Sequence, residues 1–416
     1  RTGAALALAA ALALATRRSN ALERDAASGQ LEHAPEGWRR AVHLAIFIVR
    51  KAVSILARRL LGAAHHPYWS PMEELVVKIL AFAATIGDVK STRYPIKAYA
   101  LLQRAIHAAF GSLHVTRVDL GLGQPHAKDA LYLALEKDQP LGSCPIILYF
   151  HGGGYVTGCA EMHINSHFRW LQRLRDDHGY TCAVLSVEYP LAPEVRFPGN
   201  LQFCFRAYDA VVHKVGISPS SIIISGDSAG GGIAYNVALH ARDEYPTQEG
   251  HAELAGLVLI SPWVNHAVGA ESFMEHRNTD FLPRESLGTI TGTYADDEHD
   301  PFNNPAISLV HGEFGKLPPV ALTYGSREIF KSDIVDFQGK LEAAGNQVHV
   351  SVGPDCPHIY PLLAPLFSTH ASRTLGELAA FCASCLSRAA SSKPGRVQAQ
   401  GGGVQQSPSA ALASTA

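Results

Sequence analysis

Ser228 lies in Gly226-Asp227-Ser228-Ala229-Gly230-Gly231, a G-x-S-x-G between an apolar run at Ser221–Ser225 and a helical pattern at Ala229–Glu244. A serine raised on a strand-to-helix turn is presented for attack on a carbonyl carbon. Glycine on both sides is needed because that turn is tight and its backbone passes close to neighbouring elements. The free N–H groups of the following helix favour negative charge developing beside the hydroxyl. The chemistry these residues suit is acyl transfer through a covalent intermediate.

A second cluster, His151-Gly152-Gly153-Gly154, follows the continuous apolar run Pro145–Phe150. Three glycines let the chain fold beneath a substrate and aim backbone N–H groups at one point. Gly152, Gly153 and Ala229 are the expected donors to an oxyanion, with Gly154 and His151 supporting the turn. Asp227, beside the serine, reads as a support for the site.

These residues need a rigid frame, and the remaining pattern supplies one. His114–Leu120 and Ala130–Leu135 alternate apolar and polar residues like edge strands. Strand patterns at 145–150, 182–187, 221–225, 255–261, 320–324 and 347–352 interleave with helical patterns at 164–178, 201–215, 229–244, 332–344 and 372–386. Such alternation predicts an α/β fold with a mostly parallel sheet covered on both faces.

The two glycine motifs, together with Glu188-Tyr-Pro-Leu-Ala-Pro-Glu194 and Phe197-Pro198, resemble the hormone-sensitive-lipase branch of the α/β-hydrolases. That branch carries G-D-S-A-G-G and Y-R-L-A-P-E followed by F-P; Pro190 stands here where arginine is usual. The resemblance covers roughly residues 114–387 and extends to fungal steryl-acetate-hydrolase-like members, some with an N-terminal membrane segment. It implies an α/β-hydrolase fold with a helical N-terminal cap, a carboxylesterase or lipase-like activity without metal or organic cofactor, and a triad in the order serine, acid, histidine. His358, in Gly353-Pro-Asp-Cys-Pro-His358-Ile-Tyr360, stands where the family has its histidine. Glu328, in Gly325-Ser-Arg-Glu328, stands at the family's first, catalytic acid, and Asp333 at the second, helix-side acid. Glu188 and Glu194 read as loop supports. A binding module of the same fold is the alternative, as in relatives that have lost the histidine; an amide or lactone hydrolase is another.

Composition bounds the rest. Hydrophobic residues at 47% and charged residues at 17% exclude wholesale disorder, and 35 Lys+Arg against 37 Asp+Glu exclude a uniformly basic nucleic-acid binder. The seven cysteines are scattered, and Cys382-x-x-Cys385 has no second pair at zinc spacing. No glycosylation sequon occurs, which favours an intracellular protein, with the endoplasmic-reticulum membrane as a site of attachment.

Residues 2–16 are uncharged and rich in Ala and Leu, which suits either a frayed helix or a truncated targeting segment. Over 38–61 the paired bases Arg39/Arg40, Arg50/Lys51 and Arg58/Arg59 share one broad arc of a helix. Such a helix either lies on a membrane surface or packs on the catalytic domain with its basic face in solvent. The expected division is a targeting and cap region at 1–110, a catalytic domain at 111–388, and a disordered tail at 389–416.

Overall fold

The computed structural model of the chain describes residues 38–62, 66–86, 92–123, 129–244, 254–363 and 366–391. Residues 1–37, and the expected tail from 392 onward, lie outside the described residues. Among the described residues three helices come first: α1 (Trp38–Leu60), α2 (Pro71–Ile86) and α3 (Arg93–Phe110). Eight strands follow in one sheet: β1 (His114–Val118), β2 (Ala130–Ala134), β3 (Ile146–Phe150), β4 (Ala183–Val187), β5 (Ile222–Asp227), β6 (Gly256–Ile260), β7 (Val320–Gly325) and β8 (Val348–Gly353). The helices among and after them are α4 (Ile164–His178), α5 (Gly199–Ala210), α6 (Ala229–Glu244), α7 (Arg284–Tyr294), α8 (Lys331–Ala343) and α9 (Ser368–Ser391), with a one-turn helix at Ser272–Glu275.

The strand order is β1-β2-β4-β3-β5-β6-β7-β8. β2 pairs antiparallel with both β1 and β4, and every pair from β4 to β8 is parallel. Strands buried on both faces must be apolar throughout, and β3 (Ile-Ile-Leu-Tyr-Phe) and β6 (Gly-Leu-Val-Leu-Ile) are. Successive residues serve opposite faces. Ile146, Leu148 and Phe150 pack with α5, α6 and α8, while Ile147 and Tyr149 pack with Trp170 of α4 and Leu378 of α9.

Two expectations need correction here. β2 is not an edge strand: it lies between β1 and β4 with all five residues buried, so the apparent alternation does not mark a solvent face. α9 runs to Ser391, three residues past the boundary placed at 388.

α1 is oriented unlike the expected packed helix with a solvated basic face. Phe47 stacks on Phe82 at 3.9 Å while Arg59 meets Glu74 at 3.2 Å, so α1 and α2 run antiparallel. Lys51 is buried, its Nζ 5.4 Å from the Phe47 ring centre, and Arg59 also donates to the carbonyls of His66 and Trp69. Drawing the guanidinium inward is tolerable because these acceptors satisfy its Nη2. The apolar stripe Val49, Val53, Leu56 and Leu60 is consequently exposed, Leu60 at 88%.

Candidate active site

Parallel strands place all their C-terminal ends at one edge, which is where open α/β sheets gather their sites. Phe150 pairs with Gly226, so the loop leaving β3 runs beside Asp227 and Ser228. Asp227 pairs with Ile260, which brings Ser261 in from β6, and Gly325 pairs with Gly353, which sets the Glu328 loop against the His358 loop.

Ser228 adopts the left-handed conformation, with φ at 52°, in a turn whose carbonyl accepts from the N–H groups of Gly231 and Trp263. A non-glycine residue in that region stores strain, which is common at functional sites. The flanking glycines are dictated by space. A Cβ on Gly226 would lie 2.1 Å from the Gly230 carbonyl oxygen, and one on Gly230 would lie 2.1 Å from that of Phe150.

Asp227 faces the glycine loop rather than the histidine. Its Oδ1 accepts from Tyr149 Oη at 2.7 Å and from the Gly152 N–H at 2.9 Å, with His163 Nε2 at 3.4 Å. Burial opposes its charge, but His163, Tyr149 and Gly152 outweigh that and hold the carboxyl below its usual range. This corrects the expected oxyanion donors, because the Gly152 N–H is already committed to Asp227. The N–H groups of Gly153, Gly154 and Ala229 have no acceptor among the described residues.

His151 is buried with its ring stacked on Tyr189, its Nδ1 2.8 Å from the Gly152 oxygen and its carbonyl accepting from Tyr189 Oη. Burial lowers its pKa. These contacts brace the loop, and none of them is to Ser228.

Glu328 and His358 are buried together, with His358 Nδ1 3.8 Å from Glu328 Oε1. That is too long for a hydrogen bond and short enough for an ion pair. The other oxygen, Oε2, accepts from Ser261 Oγ at 2.7 Å and from the Gly325 N–H at 2.9 Å, which fixes the carboxylate. Burial opposes a charge on the His358 ring, but Glu328, then Asp280 and Asp227, outweigh it, so the imidazole titrates above its usual 6.5.

Asp333 is not in this cluster. It sits in the first turn of α8, where its Oδ1 accepts from Asn265 Nδ2 at 2.9 Å, and burial raises its pKa to about 6. Glu188 accepts from the Ala160 N–H, and Glu194 pairs with Arg93 at 2.9 Å. Arg93 also donates to the carbonyls of Val156 and Ala192, tying α3 to both loops.

The sequence singled out neither Ser261, Asp280 nor α7. Asp280 accepts from the N–H groups of Ile329 and His358, and α7 lies over the glycine loop, so that a Cβ on Gly154 would come within 2.9 Å of Ile290. A serine at the end of β6, one residue before Pro262, carries no motif of its own. Its place beside the acid loop follows only once the strand order is known.

The sheet, the elbow and the acid–histidine pair together define a serine hydrolase of the α/β class. A family model described as alpha/beta hydrolase fold matches residues 147–362, and the chain belongs to that family. An esterase of Acinetobacter venetianus is 29% identical over 240 residues, covering 58% of this chain and 75% of that one. The versiconal hemiacetal acetate esterase of Emericella nidulans is 28% identical over 243 residues, covering 56% and 80%. The crystal structure of EstE7, a hormone-sensitive-lipase homologue from a metagenome library, superposes with a TM-score of 0.60 at 29% identity over 76% of this chain and 98% of its own. The chain is a hormone-sensitive-lipase-like carboxylic ester hydrolase.

Proposed function

We propose that Ser228, His358 and Glu328 carry this ester hydrolysis. Ser228 Oγ attacks the ester carbonyl as His358 Nε2 takes its proton. The tetrahedral oxyanion forms against the N–H groups of Gly153, Gly154 and Ala229. Collapse expels the alcohol, which receives the proton from His358, and leaves an acyl group on Ser228. Water then repeats the sequence in reverse roles and releases the acid. Glu328 holds the imidazole with Nδ1 protonated and balances its charge while it is an imidazolium.

The observation that carries this reading is the buried Glu328–His358 pair at the same sheet edge as a strained serine. Of the two acids offered by the motif, only Glu328 meets the His358 ring, since Asp333 is held by Asn265. Acetate is the acyl group in the name of the Emericella relative, so a short acyl chain is the first substrate class to try. A fluorophosphonate probe should label Ser228, and Ser228→Ala should abolish both labelling and hydrolysis of p-nitrophenyl acetate. Full hydrolysis by that variant would overturn the assignment. Removing the nucleophile should leave only ~10³–10⁴-fold over water.

A membrane surface is the second element of the reading, supported by the outward apolar stripe of α1. Among the described residues no helix is long and apolar enough to cross a bilayer, so attachment would be interfacial, with Val49, Val53, Leu56 and Leu60 entering the lipid. The full chain should bind anionic liposomes, less so at high salt, and deleting residues 1–61 should release it. A full chain that ignores liposomes at low salt removes this part of the reading. An intracellular location attached to the endoplasmic-reticulum membrane fits the same feature.

A further inference from the structure

Asp280 is a second buried carboxylate beside the triad histidine, with no part in the mechanism above. It lies between the one-turn helix Ser272–Glu275 and α7, and is 3% exposed. Its three acceptor contacts come from three different segments. Oδ1 accepts from the N–H of Phe281 at 2.7 Å and from that of His358 at 3.3 Å, and Oδ2 accepts from the N–H of Ile329 at 2.8 Å. Ile329 follows the triad acid directly, and the His358 contact is on the base's own backbone.

The surrounding segment is itself fixed. The Asp280 N–H donates to the His276 carbonyl, Thr279 Oγ1 donates to the Arg327 carbonyl at 3.1 Å, and Lys78 of α2 donates to the Asn278 carbonyl at 2.8 Å. The carboxylate therefore sits on a support tied to α2 through Lys78 and to the Glu328 loop itself through Thr279.

We propose that Asp280 is a positioning residue for the ester hydrolysis: by accepting from the backbones of both the Glu328 loop and the His358 loop, it sets the distance between acid and base. This rests on the assignment of Glu328 and His358 to the triad. The two loops leave neighbouring parallel strands, and the sheet fixes them only as far as Gly325 and Gly353. Beyond those residues something must hold their relative position to a fraction of an ångström, because a misplacement of about 1 Å can cost ~10²-fold in rate.

The charge has a second effect. The groups acting on Asp280 are His358, which favours its ionised form, and Glu328, which opposes it; burial is the larger influence and raises its pKa to about 6. His276 stands on its own segment. On His358 the influences are burial, Glu328, Asp280 and Asp227. An ionised Asp280 thus helps keep the imidazole basic, and a protonated one loses an acceptor for its N–H partners.

The test is Asp280→Asn in the full chain, with p-nitrophenyl acetate as substrate. An amide has a single acceptor oxygen, so the Ile329 and His358 N–H groups cannot both be satisfied as they are now. The expected result is a folded protein with kcat lowered roughly 10- to 100-fold and KM nearly unchanged. The acid limb of its kcat/KM profile should move to lower pH, because the imidazole loses a neighbouring negative charge. Asp280→Glu, which restores the charge on a longer arm, should return the limb toward the wild-type position. A folded Asp280→Asn enzyme with wild-type kcat and an unmoved limb overturns the proposal. If that variant does not fold, the wild-type profile decides: below about pH 6 the limb of log kcat/KM should steepen from a slope of one toward two, and a slope of one throughout overturns it. Failure of the triad assignment looks different, since Ser228→Ala or Glu328→Gln would then remain active whatever Asp280 does.

Discussion

Replacing Glu328 with glutamine preserves the shape of the side chain and reverses what one of its two ends can do. The end that accepts from Ser261 Oγ and the Gly325 N–H must remain an oxygen, because a backbone N–H cannot be received by an amide NH2. The amide nitrogen is then forced toward His358 Nδ1, where Oε1 now lies 3.8 Å away. An NH2 aimed at Nδ1 selects the tautomer whose proton is on Nε2. That nitrogen can no longer take a proton from Ser228. The same tautomer error in a triad of this logic costs ~10⁴-fold in kcat, or about 5.4 kcal/mol of barrier at 1.36 kcal/mol per tenfold. Both hydrogen bonds to Oε2 survive, so the fold should be intact. The assay is p-nitrophenyl acetate turnover, alongside circular dichroism and a melting curve. Glu328→Gln within tenfold of wild type, beside a folded but inactive Asp333→Asn, would refute the reasoning and move the acid to Asp333.

Other outcomes follow from the same geometry. Asp333→Asn should keep near-wild-type turnover, and it should melt higher than wild type at pH 7.5 but not at pH 4. The sign follows from its raised pKa: the folded state holds a proton that the unfolded chain releases near 3.8, so stability falls as pH rises from about 4 through about 6, by at most ~3 kcal/mol. A lower melting temperature at pH 7.5 would contradict this. The kcat/KM profile of the wild-type enzyme should rise through an apparent pKa above 6.5, since Glu328 and its neighbours raise that of His358; a midpoint below 6 would mean that burial outweighs the charge of Glu328 at the imidazole. Gly152→Ala would put a Cβ 2.3 Å from Asp227 Oδ2, so melting should drop by the equivalent of ~1–3 kcal/mol and fluorophosphonate labelling should slow at least tenfold; an unchanged protein would mean that the loop is not braced on Asp227. Val53→Asp with Leu56→Asp should abolish liposome binding and leave ester turnover in solution unchanged, and persistent binding would clear the α1 stripe of that role.

How much of this was legible in the residues depended on whether the cause was local. The buried parallel strands announce themselves, because a strand covered on both faces has to be apolar along its length, as Ile146–Phe150 is. The elbow is legible for a similar reason: its glycines answer to backbone clashes within a few residues of the serine. β2 was misread because alternation reports only what one strand contains, and its burial comes from β1 and β4 on either side. The Gly152 N–H looked available because glycine spacing cannot reveal an aspartate oxygen arriving from another strand. Asp280 had no visible signal. It becomes significant only through backbone groups 49 and 78 positions further along the chain that fold back to meet it. α1 carried the right periodicity, but periodicity cannot say which face turns inward, and the acceptors that draw Arg59 in lie on α2 and the loop before it.

The depth of the site has a kinetic consequence. Ser228 is 8% exposed, His358 1% and Glu328 0%, with α7 across the glycine loop. Where an ester reaches Ser228 only after such a cover shifts, its apparent affinity is the intrinsic one scaled by the open fraction. That fraction belongs to the protein alone. It multiplies kcat/KM for every ester equally and cancels from the ratio between two of them. Selectivity measured across a substrate panel therefore reports the pocket and the chemistry. A change at the α7 contact with Gly154 that only loosens the cover should raise or lower the whole panel together, leaving the rank order of substrates where it was.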